Sequence, residues 1–249
     1  MSERFQVSVV IPARNEAENL KILITEIVQA LPVDSYQFEI IVVDDGSSDH
    51  TLSTLRTLKK TVPQLVILRH AVSMGQSAGV LSGVRAASYP WIATLDGDGQ
   101  NDPADIPKMV LRLQQEPLNS IPLYMIAGQR MKREDHWIRL FSSKIANGVR
   151  SQLLKDLTPD TGCGLKLFRR DIFLSFPIFN HMHRFLPALV YRAGGRSMNQ
   201  PVHHRPRVQG ISNYGIGNRL WVGIIDLLGV MWLITRPCQP VVIKDEQTL

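Results

Sequence analysis

The sequence predicts an α/β fold in which a parallel sheet is flanked by helices. Short apolar runs of strand length alternate with amphipathic helical patterns through the first hundred residues. Polar clusters follow three of these runs, and strand–helix–strand units of this kind form parallel sheets. The chain has 249 residues, of which 44% are hydrophobic, so it can bury the core of one large domain or two small ones.

The first strand and helix show the two periodicities most clearly. Residues 7–11 form an apolar run that Pro12 ends, which is typical of a buried strand. In 16–31 apolar residues recur every three or four positions, so one face of a helix is apolar. The same alternation then continues along the chain. The other predicted strands lie at 38–43, 65–68, 91–95 and 124–127, and the other predicted helices at 51–60, 76–87, 106–115 and 139–154.

The last apolar segment, LWVGIIDLLGVMWLIT at 220–235, lies between two arginines. A helix needs about 20 apolar residues to span a bilayer, and this segment is shorter and carries Asp226 near its middle. Trp221 and Trp232 favour an amphipathic helix that lies in the membrane interface. The other interpretation is a buried or oligomer-contact helix, and both stay open. The predicted domains are therefore 1–215 and a C-terminal helix and tail at 216–249.

Charge and cysteine content limit the partners and the compartment. The net charge of +6 and the pI near 9.5 favour an anionic partner, such as a nucleotide, a nucleic acid or an acidic membrane. Nucleic acid is disfavoured, because the arginines are scattered among acids without an aromatic platform. Cys163 and Cys238 are far apart, and the N-terminus does not read as a secretory signal. We expect a cytoplasmic protein.

Paired acids follow two of the predicted strands. Asp44 adjoins Asp45, and Asp96 precedes Asp98 by two residues. Carboxylates so close raise each other's pKa, and a divalent cation such as Mg²⁺ or Mn²⁺ relieves the repulsion. Gly97 lets a diphosphate approach the backbone. The plainer interpretation is a pair of polar turns with solvated aspartates.

Several motifs in order resemble a known family. The stretches VSVVIPARNEAENL, IIVVDDGSSDHT and TLDGDGQNDP look like the nucleotide-sugar motifs of inverting family 2 glycosyltransferases with the GT-A fold, a Rossmann-like mixed sheet flanked by helices. The stretches AGQR, WIRLFSSKIAN, DTGCGLKLFRRD and HRPRVQGISNYG are similar to the polyprenyl-phosphate branch, typified by dolichyl-phosphate mannose synthase and bacterial undecaprenyl-phosphate enzymes. The resemblance covers about 7–232.

The resemblance assigns the donor site to residues at the strand ends. Asp44 or Asp45 would accept a hydrogen bond from the base, and Arg14 stands where the family often has tyrosine. The nucleotide-binding residues it implies are Pro12, Arg14, Glu16, Asp44, Asp45, Gln76, Asp96, Gly97 and Asp98, and the metal ligands it implies are Asp96, Asp98 and Gln100.

The acceptor site is assigned to a basic helix. Arg139, Ser143 and Asn147 share one face of the predicted helix, and Arg130 precedes it. Periodicity alone favours a solvated basic face, whereas the resemblance implies that Arg130, Arg139 and Ser143 bind the acceptor phosphate. A phosphate is already an anion at pH 7, so no general base is required. Asp160 is either a base for a hydroxyl acceptor or a residue that structures its loop.

Further cations are candidates for contacts with the diphosphate or the sugar. The plainer interpretation of His183 and Arg184 is a basic pair at the end of a helix, without contact to the donor. HRPRVQGISNYG resembles a loop that closes over the donor, with Asn213 in place of the usual lysine. The candidate cations are Lys166, His183, Arg184, Arg205 and Arg207.

Together these features predict a glycosyltransferase at the inner face of the cell membrane. We expect it to move a sugar from a nucleotide sugar, with UDP favoured over GDP, to a polyprenyl phosphate with inversion. The alternatives are transfer to a saccharide hydroxyl, and a nucleotide-binding module recruited to membranes without turnover. Self-association through the C-terminal helix is a further expectation that competes with lipid binding.

Overall fold

A computed structural model describes residues 4–117, 121–131, 154, 158–206 and 217–236, with the backbone alone for 217–222. The strands are β1 (Phe5–Ala13), β2 (Tyr36–Asp44), β3 (Leu65–Arg69), β4 (Trp91–Thr94), β5 (Leu123–Arg130), β6 (Lys166–Arg169) and β7 (Arg196–Val202). The helices are α1 (Ala17–Ala30), α2 (Thr51–Lys59), α3 (Gln76–Ala86), α4 (Asp105–Gln114), α5 (Arg170–Leu174), α6 (Leu186–Arg192) and α7 (Gly217–Thr235), with a 3₁₀ turn at Met182–Arg184. The predicted helix at 139–154 falls outside the described residues, except for Leu154.

The seven strands form one mixed sheet in the order β3-β2-β1-β4-β6-β5-β7. The first four strands are parallel, as their alternation with helices predicts. Beyond β4 the sheet is mixed, because β6 lies antiparallel to both β4 and β5. The mixed GT-A sheet implied by the resemblance is confirmed. The inserted strand places Lys166 opposite Thr94, at the end of β4 where the acids begin.

Two apolar layers cover the sheet, because side chains alternate between the faces of each strand. Val9 and Ile11 of β1 pack in the layer that contains α1, α2 and α4. Val10 packs in the opposite layer with α3, α5 and α6. The central strands are buried on both faces, so only their ends can meet a ligand.

Helix α7 packs against α6 and leaves part of its apolar surface uncovered. Val230 lies in a small buried cluster with Phe185 and Ala188. On its other side Leu228 and Trp232 are 58% and 62% exposed. None of the helices within the described ranges is long and apolar enough to cross a membrane.

Candidate active site

The carboxyl ends of β1, β2 and β4 lie side by side and bring the three polar clusters together. Ala13 pairs with Asp44, and the amide of Asp45 donates to the carbonyl of Ala13 at 2.8 Å. The amide of Asn15 donates to Ser47 Oγ at 2.9 Å, which joins the first cluster to the second. The predicted convergence of the clusters is therefore present in the structure.

Asp44 is fully buried and keeps one oxygen unsatisfied. Its Oδ1 accepts the amide of Ser47 at 2.9 Å. Its Oδ2 has no hydrogen-bond partner among the described residues, and Arg69 Nε lies 3.5 Å away. A buried acceptor without a donor is costly, so this oxygen is suited to an incoming N–H or O–H group.

Asp45, by contrast, is saturated by the loop that leads into α3. Its carboxylate accepts from His70 Nδ1, Ser73 Oγ and the amides of Met74 and Gly75, all between 2.7 and 2.9 Å. Burial alone would raise the pKa of Asp45, but these hydrogen bonds outweigh it and lower the pKa. Asp45 therefore holds residues 70–75 in place and has no oxygen to spare for a nucleobase.

Asp45→Ala is expected to lower the free energy of unfolding by about 3 kcal/mol, because it removes four hydrogen bonds between a buried carboxylate and the loop of 70–75. Urea unfolding measures this change. The control is Asp171→Ala, which removes an exposed pair with Arg169 and should cost less than about 1 kcal/mol. Equal losses in the two variants would contradict the structural role of Asp45.

Asp96 begins the acidic loop, which we define as residues 96–102 (DGDGQND). Its Oδ1 accepts from Gln76 Nε2 at 2.7 Å, and its amide donates to Oδ1 of the buried Asn101 at 3.1 Å. Burial, and then the charge of Asp98, raise the pKa of Asp96 to about 6. A cation close to Asp96 would therefore stabilise the ionised form of its carboxylate.

A cavity of about 420 Å³ opens beside Asp96. It is large enough for a sugar with an attached phosphate group, and its wall is formed by β4, β6, the start of α3 and the 3₁₀ turn. It is lined by Gln76, Val80, Thr94, Asp96, Arg130, Thr161, Gly162, Cys163, Gly164, Lys166, His183, Arg184 and Leu186.

Arg130 reaches the cavity while paired with Asp160. Its Nε and Nη2 bind the two carboxylate oxygens of Asp160 at 2.7 and 2.8 Å, and the side chains are 15% and 9% exposed. The hydrogen bonds to Asp160 raise the pKa of Arg130, despite its partial burial. Of the two roles predicted for Asp160, this geometry matches the structural one.

Lys166 is almost wholly buried under the cavity. Its ammonium donates to the carbonyls of Thr161 and Cys163, and burial lowers its pKa while the charge of Asp96 opposes that change. The ammonium and the Asp96 carboxylate share one cavity wall. The sequence suggested Lys166 only as a candidate, because strand β6 was not predicted.

His183 is partly buried near Lys166 and stays neutral. Its Nδ1 lies 2.7 Å from Ser77 Oγ near the start of α3. Burial, together with the charges of Lys166 and Arg184, lowers the pKa of His183 to about 3. The imidazole therefore offers a neutral polar contact to the cavity, whereas the exposed Arg184 offers a charge.

Gly164 lies against the carboxylate of Asp96. A Cβ at this position would lie 2.2 Å from Asp96 Oδ2, so any larger residue must displace the carboxylate. The DTGCG motif thus leaves room for the acid, a role that its sequence did not reveal. Sequence reasoning missed several parts of the site: Ser77, which contacts His183, and the lining residues Val80, Thr94, 161–164 and Leu186.

Gly164→Ala is expected to keep the fold but to lower kcat/KM for transfer by at least tenfold, because Asp96 would leave its present position. Steady-state kinetics and circular dichroism measure the two effects. Gly229→Ala is the control, since among the described residues the added carbon would meet nothing within 4 Å beyond its own helix backbone and chain neighbours. Full activity in Gly164→Ala would show that the position of Asp96 is unimportant.

The remaining predicted residues that the structure describes lie outside the cavity lining. Arg14 is exposed, and the amide of Glu16 donates to Thr51 Oγ1 at 3.0 Å. Asp98 Oδ1 accepts the amide of Gln100 at 3.2 Å. Arg205 is paired with Glu26 and Asp102 rather than facing the cavity. Arg139, Ser143, Asn147 and Arg207 are outside the described residues, and Pro12 and Gly97 pack against one another at the ends of β1 and β4.

A metal ion in the acidic loop would need ligands from outside the protein in addition to the side chains of the loop. No cluster of three or more His, Cys, Asp or Glu side chains suited to a metal occurs in the described part of the chain. Asp96 and Asp98 nevertheless offer hard carboxylate oxygens, and burial, followed by the charge of Asp98, raises the pKa of Asp96. Two carboxylates completed by phosphate oxygens and water are a normal set for Mg²⁺.

Comparison with known families identifies the class of protein. The model of Glycosyl transferase family 2 matches residues 8–175. The chain therefore belongs to glycosyl transferase family 2, and it is a glycosyltransferase. The family predicted from the motifs is confirmed.

Curated relatives are similar over most of this chain. Dodecaprenyl-phosphate galacturonate synthase of Rhizobium johnstonii is 34% identical over 245 residues, which cover 96% of this chain and 70% of that protein. Undecaprenyl-phosphate 4-deoxy-4-formamido-L-arabinose transferase of Edwardsiella ictaluri is 31% identical over 212 residues, covering 84% and 63%. The chain thus spans between 63% and 70% of the length of these relatives.

Solved structures share the fold at lower identity. The mannosyltransferase PcManGT from Pyrobaculum calidifontis, in complex with GDP-Man and Mn²⁺, has a TM-score of 0.66 and 20% identity over 96% of this chain and 67% of that one. Glucosyl-3-phosphoglycerate synthase from Mycobacterium tuberculosis, with Mn²⁺ and UDP, has a TM-score of 0.66 and 18% identity over 92% and 80%. These likenesses confirm the GT-A fold.

Proposed function

We propose that the protein transfers a sugar from a nucleoside diphosphate donor, UDP in preference to GDP, to a polyprenyl phosphate with inversion. The observation that carries this proposal is the cavity that joins Asp96 to three cationic side chains, Arg130, Lys166 and Arg184. Such a site accommodates a diphosphate and a second anion together. The named activities of both curated relatives, which act on polyprenyl phosphates, support the acceptor.

The nucleoside is assigned to the end of β2. Within the described part of the chain, Asp44 Oδ2 is a buried acceptor without a hydrogen-bond donor, and a uracil or guanine N–H would supply one. Asp45 is excluded from this role by its existing hydrogen bonds. Pro12 and Arg14, at the end of β1, would flank the base.

The diphosphate is assigned to the acidic loop. Asp96 and Asp98, with Gln100 nearby, would hold Mg²⁺ or Mn²⁺, which neutralises charge on the departing nucleotide when bound. Lys166 lies under the same wall as Asp96 and would stabilise that charge from the protein side. Gln76 holds the Asp96 carboxylate in orientation through its 2.7 Å hydrogen bond.

The acceptor phosphate is assigned to Arg130, together with Arg139 and Ser143. Asp160 restrains the Arg130 guanidinium through Nε and Nη2, so the Nη1 group is assigned to the phosphate. The phosphate oxygen attacks the anomeric carbon without losing a proton, so Asp160 orients Arg130 and does not act as a base. Binding and alignment of two anions are then the protein's main contribution.

The exposed face of α7 is assigned to the membrane surface on the cytoplasmic side. Ile225, Leu228 and Trp232 are spaced along one side of the helix, and each is more than half exposed. Asp226, the one acid of this helix, pairs with His181 at 2.9 Å instead of facing lipid. A peripheral helix at this position would bring the site near a lipid substrate.

The double variant Leu228→Gln, Trp232→Gln is expected to lower binding to vesicles of anionic phospholipid by at least tenfold, because it removes apolar area from the exposed face. Vesicle sedimentation measures the change, and Ile22→Gln, another exposed apolar site, is the control. Unchanged vesicle binding, with conversion of an oligomer to monomers in gel filtration, would assign this face to self-association.

Calorimetry with UDP and GDP in the presence of Mn²⁺ tests the donor assignment. We expect tighter binding of UDP than of GDP. We also expect Asp44→Asn to lower the affinity at least tenfold, because it replaces one acceptor oxygen of the carboxylate with an NH₂ donor. His50→Asn, at the neighbouring exposed surface, is the control. Tighter binding of GDP would overturn the choice of nucleotide.

A further inference from the structure

The segment that follows β7 crosses the acidic loop and is bonded to it. We call this segment, residues 203–205, the strap. The amide of Arg205 donates to the carbonyl of Gln100 at 2.9 Å, and Gln100 Nε2 approaches the carbonyl of Arg205 at 3.4 Å. Asn101 and His204 form an antiparallel bridge. The two backbones therefore pair as a very short strand pair would.

The Arg205 side chain joins the loop to a helix on the far side. Its Nη1 binds both carboxylate oxygens of Glu26 on α1 at 2.8 Å. Its Nη2 binds Asp102 Oδ1 at 2.8 Å. Burial alone would raise the pKa of Asp102, but the amide of Ala104 and the Arg205 guanidinium lower it. One guanidinium thus bridges two carboxylates from different elements.

The other end of the strap is also fixed. The amide of His203 donates to Asp105 Oδ2 at 2.6 Å, and its Nδ1 lies 3.0 Å from Asp105 Oδ1. Asp105 is fully buried at the start of α4 and also binds Lys108 at 2.7 Å. The strap is therefore held on both sides of its bridge to Asn101.

A short chain of bonds leads from the strap to the carboxylates. Asn101, which the strap pairs with, is buried and accepts the amide of Asp96 on its Oδ1. Gln100, which the strap also binds, donates its amide to Asp98. Both members of the acidic pair are thus one hydrogen bond away from residues that the strap holds.

We infer that Arg205 is a positioning residue, which fixes the acidic loop in its binding geometry through Asp102, Glu26 and Gln100. This inference rests on the proposed function, because it takes the acidic loop as the diphosphate site. It replaces the expectation that Arg205 contacts the diphosphate or the sugar, since the guanidinium is already bound to two carboxylates outside the cavity lining.

The test compares Arg205→Ala with Glu26→Gln, Asp102→Asn and the corresponding double variants. One readout is the Mn²⁺ concentration that half-saturates UDP binding in calorimetry. The other is hydrogen exchange of the amides of 97–102 in the protein without nucleotide or metal. Arg196→Ala is the matched control, because Arg196 begins β7, the strand that leads into the strap, and pairs with Glu116 at a similar distance, 2.8 Å.

Each single variant is expected to raise the half-saturating Mn²⁺ concentration roughly three- to tenfold, the effect of losing one charged hydrogen bond. In the double variants of Arg205→Ala with Glu26→Gln or Asp102→Asn, the loss of binding free energy should be smaller than the sum of the two single losses. Exchange in 97–102 should accelerate in these variants and stay unchanged in Arg196→Ala. Glu26→Gln and Asp102→Asn keep Arg205, so the test does not depend on one variant folding.

An effect confined to Arg205→Ala would overturn the inference and would indicate direct contact with the donor. Unchanged exchange in 97–102 would overturn it as well. If the wild-type protein bound no nucleotide, the proposed function would fail, and the exchange measurement would still decide whether the strap fixes the loop.

Discussion

Asp96→Asn is expected to lose transfer by about a hundred- to a thousandfold, because it removes a charged ligand of the metal ion that would neutralise the departing diphosphate. Asparagine has nearly the same shape, and its Oδ1 can still accept from Gln76 Nε2, as Asp96 does at 2.7 Å. The loss would therefore report the charge of Asp96 and not its packing. Steady-state kinetics with Mn²⁺ measure it.

The same variant is expected to be more stable than the wild type at pH 7 in the absence of metal and nucleotide. The pKa of Asp96 in the folded protein is about 6, compared with 3.8 for an unperturbed aspartate. Between these two pH values the folded state binds the Asp96 proton more tightly than the unfolded state does. The free energy of unfolding of the wild type therefore falls as pH rises from about 4 to 6.

Asparagine does not titrate, so its advantage should be roughly 1–3 kcal/mol at pH 7, shrink below pH 6 and vanish below about pH 4. Thermal unfolding in chelator at several pH values measures this trend. Asp171→Asn, an exposed acid whose pKa is lowered chiefly by its hydrogen bond with Arg169, is the control. A stability difference for Asp96→Asn that is independent of pH would contradict the assigned cause.

Arg130→Met is expected to lower transfer by at least a hundredfold while nucleotide affinity stays close to that of the wild type, because Arg130 serves the acceptor and not the donor. It also leaves Asp160 without its main cation, at a cost of about 3 kcal/mol in stability. Kinetics, calorimetry and unfolding separate these effects. The sequence predicts the same division for Arg139→Ala.

Asp160→Asn is the matched comparison for Arg130→Met. It keeps the guanidinium but weakens the paired hydrogen bonds of 2.7 and 2.8 Å that orient it. We expect a smaller loss of transfer than in Arg130→Met. A larger loss in Asp160→Asn would indicate a proton-accepting role for Asp160 and would favour a hydroxyl acceptor.

The parallel half of the fold could be predicted because its signals are local. The apolar runs of β1 to β4 and their intervening helices are visible in the sequence, and parallel strands place their carboxyl ends at one edge. Strand β6 was missed because KLFR is short and carries a charge at each end. Its burial depends on pairing with β4 and β5, which are distant in sequence.

The site residues divide in the same way. Asp96 and Gln76 could be placed from motifs, whereas the sequence could not tell which of Asp44 and Asp45 keeps an acceptor free. That difference depends on the loop of 70–75, which surrounds only Asp45. The ion pairs of Arg205 could not be predicted for a related reason, because its partners Glu26 and Asp102 lie far from it in the chain.

The most direct test is incubation of the protein with labelled nucleotide sugars, undecaprenyl phosphate and Mn²⁺, followed by extraction of the lipid phase. We predict label in the lipid phase from at least one UDP-sugar, released by mild acid, and none with Asp96→Asn. Label that enters only a water-soluble saccharide, or lipid label that persists in Asp96→Asn, would contradict transfer to a lipid phosphate at this cavity.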